Sequence, residues 1–551
     1  MSKRKSNNSN YIFQGAILAS ASIIVRMIGL VYRIPLGRII GDVGNSYYSC
    51  AYEVYSLILL ISSYSLPLAV SKIVSARIGT GDRASIEKIL KCALGFGLAV
   101  GVIGTLVAYF GADFLTGTLL KTPEGAICLR VLAPCILIVA VLGVIRGYFQ
   151  GLGTMIPTAV SQIIEQIVNA IVAIAAAWYL FEYGQKIDAV LGTDTAAPAY
   201  GASGSTLGTT LGALAALLFI GFLLIVFLKR EKKKNYKDHG NESYRSILVV
   251  LVMTILPVIL STAIYNVNGI IDQGMFKALM QDIGKEKEDI DVIWGIYSGK
   301  FKVLNNVPVA LASAMSSSTI PNISKMSGNR KAVRKSVGDV IRFTMVISIP
   351  CAVGLGMFGK EILEVLWPGT PEVASQMMVV GAVAVVLYSL STLTNGILQG
   401  IDKMRLPVIH AAISLGLHVI LLYILIKLFH MEGMAIVWSY IFFGAFMCVL
   451  NNMAIRKHLN YRQEVKRTFL IPIAASAVMG IVSKLLYNIL FTVLGGSNIA
   501  MLVSLVIAVL ATVIVYFVVL LALRGLREKE LLSFPKGQVL VKIAKKLHFK
   551  L

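Results

Sequence analysis

Ser22-Ile-Ile-Val-Arg26-Met-Ile-Gly29-Leu-Val-Tyr-Arg33-Ile-Pro-Leu-Gly-Arg38-Ile-Ile-Gly41 decides the fold class. It lies in and just beyond the first long apolar segment, which begins near Tyr11 and is long enough to cross a bilayer. Arg26 falls well inside that segment. An arginine at the centre of a lipid-exposed helix costs about 2.5–3.5 kcal/mol even on a lenient insertion scale, so this one is expected to face a wet cavity or a partner. Arg33 follows about two helical turns later, on the same face. No Asp or Glu occurs before Gly41, and two cations on one face suggest an anion site. The alternative is that Arg33 snorkels to the far interface and Arg26 pairs with Glu53 of the next span.

Composition agrees with a membrane setting. The 551 residues are 57% hydrophobic and only 14% charged, and long apolar runs recur to the end of the chain. That pattern predicts an all-α polytopic membrane protein whose helices span rather than lie on the bilayer. Runs of apolar residues give about 14 transmembrane helices, near 11–33, 46–76, 86–114, 125–149, 155–181, 201–228, 246–280, 293–324, 335–366, 373–399, 406–430, 434–455, 466–494 and 498–523.

The formal net charge of +23 would point to nucleic acid in a water-soluble protein. Here the basic residues fall in alternate loops, and orientation accounts for them. Lys3/Arg4/Lys5, Arg77/Arg83/Lys88/Lys91, Lys229–Lys234, Lys325–Lys335, Lys403/Arg405 and Arg456–Arg467 belong inside. The segments 113–124, 182–200 and 282–291 belong outside, which places both termini in the cytoplasm. The polar start Met1–Asn10 precedes an apolar run too long for a signal peptide. Six cysteines without a C-x-x-C spacing indicate neither a disulfide framework nor a metal site.

An internal repeat organises the spans. Gly147-Tyr-Phe-Gln150-Gly151-Leu-Gly-Thr-Met155-Ile-Pro157 links spans four and five, and Gly396-Ile-Leu-Gln399-Gly400-Ile-Asp-Lys-Met404-Arg-Leu-Pro407 links spans ten and eleven. Leu66-Pro67-Leu-Ala-Val70 matches Val307-Pro308-Val-Ala-Leu311 at the same offset of six spans. Six is even, so the halves run the same way through the membrane as a parallel repeat. Two six-helix lobes follow, residues 1–228 and 246–457, joined by a cytoplasmic linker at 229–245. Two extra helices occupy 458–525, and a cationic amphipathic tail at 526–551 is expected on the inner leaflet.

Enzyme signatures such as a Walker loop, G-x-S-x-G or H-E-x-x-H are absent from the sequence, so no catalytic or metal-binding residues and no cofactor are expected. His410 and His418 read as packed side chains. The intramembrane charges carry more information. Arg26, Arg33, Lys72, Lys300 and Lys302 are candidate ligands for a phosphate or pyrophosphate group, Arg as a bidentate clamp and Lys as a point charge. Because equivalent helices of both lobes carry them, they are expected to face one cationic cavity. Glu53, Glu165, Asp272 and Asn268 are candidates for a coupling ion or proton, or else for simple pairing with Arg or Lys.

Arg26-Met-Ile-Gly29 with Arg38-Ile-Ile-Gly41, Tyr47–Tyr55, Ser63–Lys72, Tyr148–Gly151, Asn305–Pro308 and Glu530–Lys536 resemble one group. This is the oligosaccharide/lipid-flippase branch of the multidrug/oligosaccharidyl-lipid/polysaccharide exporter superfamily. The chain is most similar to the Gram-positive polysaccharide biosynthesis and stage V sporulation protein B proteins, which are related to MurJ lipid II flippases. The resemblance implies two six-helix lobes around a cationic cavity, with two extra helices forming a groove for the lipid tail. It also implies alternating access that carries an undecaprenyl-pyrophosphate-linked sugar, lipid II in the MurJ branch, from the inner to the outer leaflet of the bacterial plasma membrane. Arg26 matches the group's first essential arginine, and Arg33 matches the second with a one-residue shift. Lys300 stands where the MurJ branch has an arginine, whereas Ile58-Leu-Leu-Ile61 replaces another arginine of that branch. A monomer is expected, reset by Na+, H+ or the membrane potential, with cell-wall synthesis enzymes as partners. The competing readings are a multidrug/cation antiporter of the same fold and a non-transporting scaffold for cell-wall polymerases.

Overall fold

The computed structural model describes residues 2–80, 84–231, 243–326, 329–526, 528 and 537–546. These residues are almost wholly helical, with no strand among them. Two compact units emerge, one ending at Gly299 and the other starting at Lys300. The lobes expected from the repeat are joined by a linker at 229–245, of which residues 232–242 fall outside the described residues.

Unit 1 begins with α1 (Ser2–Leu59), which holds two spans joined at Gly41. That glycine takes φ 67°, a left-handed conformation in which any side chain would be strained, and so breaks the rod. A π turn at Leu60–Tyr64 leads into α2 (Leu66–Thr80), followed by α3 (Ala84–Phe110), α4 (Gly125–Gly151), α5 (Ile156–Leu191) and α6 (Ala196–Glu231). Then come α7 (Tyr244–Asp282) and α8 (Lys287–Ile296), which pack on α1. At Gly295 a side chain would collide with the Asp42 carbonyl, so α8 reaches the kink of α1 only because residue 295 is glycine.

A π turn at Tyr297–Phe301 runs across the boundary, and unit 2 continues with α9 (Lys302–Lys325), α10 (Arg330–Leu366), α11 (Glu372–Gly381), α12 (Val383–Gly400), α13 (Arg405–Lys427) and α14 (Glu432–Leu459). The hairpin α15 (Ile471–Val493) and α16 (Asn498–Ala522) packs against α10. Helix α17 (Gly537–Lys546) buries Val541 in a cluster with Val346, Ala475, Met479 and Tyr516, while Lys542, Lys545 and Lys546 stay exposed. Among the described side chains of this helix Val541 packs on the bundle, and those of 539, 540, 543 and 544 lie outside the described residues. Leu547 and residues 529–536 lie outside the described residues.

The repeat is visible in the packing of each unit taken alone. In unit 1, α2 and α3 pack on α4, α4 on α6, and α5 on α6. In unit 2, α9 and α10 pack on α12, α12 on α14, and α13 on α14. The repeated glycines make the same interface twice. Gly147 and Gly151 sit against Pro67 and Val74, and Gly396 and Gly400 sit against Ser316 and Ile323. Small residues at these points let helices approach closely, which is how helices associate where lipid removes the hydrophobic drive.

Length and composition single out eleven stretches among the described residues, against the fourteen spans expected. One of them, Ser20–Ile78, is 59 residues long and contains the Gly41 kink. Expected spans seven and eight are not among the eleven. Both contain side chains outside the described residues, at 257, 258 and 260–266 in α7 and at 317–319, 321, 322, 324 and 325 in span eight. Tyr244–Leu256 is a shorter apolar stretch, and α7 further along carries Asn268, Asp272, Gln273 and Lys277. Two expected outer loops also shrink. Helix α5 continues through 182–191, where Asp188 accepts hydrogen bonds from the Ala196 and Ala197 amides and from Thr193 Oγ1. Asp291, at the end of the second of these loops, is buried in α8.

Candidate functional site

A cavity of about 260 Å³ opens inside unit 1, between α1, α4 and α5. Ser22, Val25 and Arg26 line it from α1, Arg146 from α4, and Gln162, Glu165 and Gln166 from α5. Arg26 is exposed there, consistent with the cost of leaving a guanidinium in lipid. Gly29, one turn along α1, lies below Gln166, whose Nε2 would be 3.3 Å from an added Cβ. The glycine of the Arg-x-x-Gly pattern thus brings α1 close to α5 where the cavity forms.

Arg146 is held from α5 by two side chains one helical turn apart. Its Nε donates to Ser161 Oγ at 2.9 Å, and its Nη2 donates to Glu165 Oε2 at 2.7 Å. Of the two candidate roles for Glu165, the geometry places it in an ion pair, with an arginine the sequence reading passed over. Arg146 directly precedes the repeated glycine motif, in an apolar span, and an intramembrane charge at that point was the available signal. Counting the lining groups as Arg26 (+1), Arg146 (+1) and Glu165 (−1) leaves one net positive charge. Two guanidinium groups beside two neutral amides suit an anion that also offers hydrogen-bond donors.

Arg33 goes elsewhere. Its guanidinium carbon lies 5.8 Å from the centroid of the Tyr48 ring, and Tyr48 stacks on Tyr52. Tyr32 is buried nearby and takes a hydrogen bond from Asn169 Nδ2 at 3.4 Å. The seven-residue spacing puts both arginines on one side of α1, but only Arg26 lines the cavity. Lys72 is exposed in the middle of α2.

The polar face of α7 forms a second region of unit 1. Glu53 of α1 presses its carboxylate on Gly269, and Asn268 Nδ2 donates to the buried Asp272 Oδ2 at 3.1 Å. Further along α7, Lys277 is 1% exposed and pairs with Asp291, itself 2% exposed. Lys277 Nζ also donates to Ser46 Oγ at 2.8 Å and Thr122 Oγ1 at 2.7 Å, and Ser46 Oγ donates to Asp291 Oδ1 at 2.8 Å. Ionised groups this deep persist only when paired and hydrogen-bonded, and this network ties α1, α7, α8 and the turn before α4 together. The sequence reading singled out neither Lys277 nor Asp291.

In unit 2, Lys300 is buried and donates to Thr370 Oγ1 at 3.1 Å, while Lys302 is half-buried. His410 Nδ1 lies 2.7 Å from Asn451 Oδ1, and Asn451 Nδ2 donates to Asn395 Oδ1 at 2.8 Å and Thr394 Oγ1 at 3.0 Å. His418 Nδ1 meets the Ser439 carbonyl at 2.8 Å. Both histidines are packed, as expected. Lys484 of α15, unremarked in the sequence reading, pairs with Glu361 of α10 at 2.6 Å and caps the Phe358 ring at 5.2 Å.

Residues 14–327 match the family described as polysaccharide biosynthesis protein. The chain belongs to that family. Residues 301–424 also match the MatE family. Among curated relatives, the lipid II flippase MurJ of Bacillus subtilis (strain 168) is 27% identical over 509 residues, spanning 86% of this chain and 88% of MurJ. Stage V sporulation protein B of the same organism is 23% identical over 527 residues, spanning 94% of this chain and 96% of its own. The fold agrees with that family membership. A solved lipid II flippase MurJ in an inward closed conformation superposes with a TM-score of 0.64 at 15% identity, over 92% of this chain and 99% of MurJ. An inward-facing multidrug resistance MATE family transporter of the MOP superfamily gives 0.64 at 16% identity, over 80% of this chain and 98% of the transporter. The chain is thus a multi-pass membrane protein with the fold of that superfamily, as its motifs implied.

Proposed function

We propose that this family member is a flippase, not an enzyme, and that it moves an undecaprenyl-pyrophosphate-linked cell-wall precursor, lipid II, from the inner to the outer leaflet by alternating access. The observation that carries the proposal is the cavity of unit 1, where Arg26 and Arg146 offer two guanidinium groups to an anion beside the amides of Gln162 and Gln166. Guanidinium forks match phosphate oxygens in pairs, and the amides suit the sugar hydroxyls next to them. Arg33, Lys72, Lys300 and Lys302 are each proposed as further cations for the diphosphate. The similarity to MurJ favours lipid II among lipid-linked sugars.

The proposed setting is the bacterial plasma membrane, with both termini cytoplasmic, the chain acting as a monomer beside cell-wall synthesis enzymes. Reset would draw on Na+, H+ or the membrane potential, which supplies about 2.3 kcal/mol per charge per 100 mV. Glu53, Asp272 and Asn268 are the proposed groups for a coupling ion. The test is rescue of a bacterium depleted of its lipid II flippase. Wild-type protein is expected to restore growth and Arg26→Ala is not, with both confirmed in the membrane at equal abundance. Full rescue by Arg26→Ala removes the anion clamp.

A second reading, a multidrug/cation antiporter, draws on the MATE-like fold. It requires a cavity that attracts cations, and the net positive lining in unit 1 opposes it. Protection against cationic drugs without rescue of the flippase-depleted strain would select it.

A further inference from the structure

Resting on the flippase reading above, we infer that Glu165 is a built-in competitor for the transported anion: its carboxylate and a bound diphosphate contend for the same Arg146 guanidinium. Arg146 aims Nη2 at Glu165 Oε2 and anchors Nε on Ser161 Oγ. The anchor at Nε keeps the guanidinium plane in place while Nη2 changes partner. The pair is neither sealed nor fully wet, with side-chain exposures of 13% for Arg146 and 29% for Glu165. A pair buried like Lys277–Asp291 cannot be parted cheaply, whereas one at a cavity wall exchanges one anion for another.

Charge favours the exchange. Within the lining, a carboxylate carrying one negative charge stands against two guanidinium groups, and a diphosphate brings more negative charge and more acceptor oxygens to both. Gln162 also lines the cavity, and its Oε1 has no hydrogen-bond partner among the described residues. A hydroxyl of the headgroup would satisfy that acceptor. The ligand class is therefore a diphosphate ester carrying a neighbouring hydroxyl donor. Glu165 limits how tightly it is held, and by returning to Arg146 it speeds release.

The test is calorimetric titration of the full-length protein in detergent with inorganic pyrophosphate, for wild type, Glu165→Gln, Arg146→Gln and the double variant. Glu165→Gln keeps the shape and removes the competing charge. It is expected to bind pyrophosphate about tenfold more tightly, a change of about 1.4 kcal/mol. Arg146→Gln is expected to bind about tenfold more weakly. The double variant is expected to match Arg146→Gln, because without the guanidinium there is nothing left to compete for. Weaker or unchanged binding by Glu165→Gln overturns the inference, as does a gain that persists without Arg146. If wild type binds pyrophosphate, Arg146→Gln binds it more weakly and Glu165→Gln is unchanged, the competitor fails while the anion cavity stands. If wild type binds no pyrophosphate, both fail.

Discussion

The two halves of the repeat place different chemistry at the same position. Arg146 and Gly147 in α4 correspond to Asn395 and Gly396 in α12. In unit 1 that residue is a cation at a cavity wall, paired with Glu165 of the next helix. In unit 2 it is a half-buried neutral amide at the end of a hydrogen-bonded chain that runs from the buried His410 through Asn451 to Asn395. The glycine that follows serves one purpose in both, letting the fourth helix of the half lie on the second. The scaffold residue is retained and the charged residue is not. A duplicated fold can keep its packing while only one copy carries a cation at this position.

That contrast can be broken most sharply by making unit 1 copy unit 2. Arg146→Asn is expected to retain the fold, since the Gly147 interface is untouched, and to lower transport by more than tenfold in the rescue assay. Activity close to wild type would mean that the charge at this position is dispensable in both halves.

The next largest effect concerns stability, where unit 1 holds a buried ion pair and the neutral network of unit 2 holds none. Lys277→Met leaves the Asp291 carboxyl buried beside Ser46 without its cation, and should cost about 3–5 kcal/mol. Thermal melts of purified protein read this out. Adding Asp291→Leu should recover most of the loss, because removing both charges removes the unmet solvation cost.

Asn451→Leu makes the corresponding break in unit 2. It strands His410 and the Asn395 and Thr394 side chains, at an expected cost of about 1–3 kcal/mol. Transport per folded molecule should stay within about twofold of wild type. A loss as deep as that of Arg146→Asn would show that unit 2 carries function at this level as well.

The smallest expected difference lies in the shared glycines. A methyl at Gly147 meets the Pro67 backbone, with the carbonyl oxygen 2.6 Å from the new Cβ. At Gly396 it meets the Ser316 hydroxyl, which can rotate away. Gly147→Ala should therefore cost about 1–3 kcal/mol and Gly396→Ala less than that, by the same melts. Equal costs would mean that the two interfaces do not differ in rigidity.

Legibility in the sequence followed locality. Arg26 stood out because hydropathy around it is high and a charge there is costly. Arg146 has the same signature, yet the motif beginning at Gly147 drew the reading past it. Lys277 and Asp291 lie where α7 and α8 meet, in a stretch whose charges resemble an aqueous loop, and no local pattern says that Ser46, more than two hundred residues earlier, completes their shell. The Gly41 kink was present only as the end of an Arg-x-x-Gly pattern. Its φ of 67° belongs to the fold.

By itself the sequence determined that the chain crosses a membrane many times as helices and that two halves share one packing scheme, because hydropathy and small-residue spacing are properties of neighbours along the chain. Only the tertiary structure decided that Arg26 meets Arg146 and Glu165 while Arg33 meets Tyr48. Which charges share a cavity depends on helix rotation and close approach between distant segments, and a linear pattern holds no record of either.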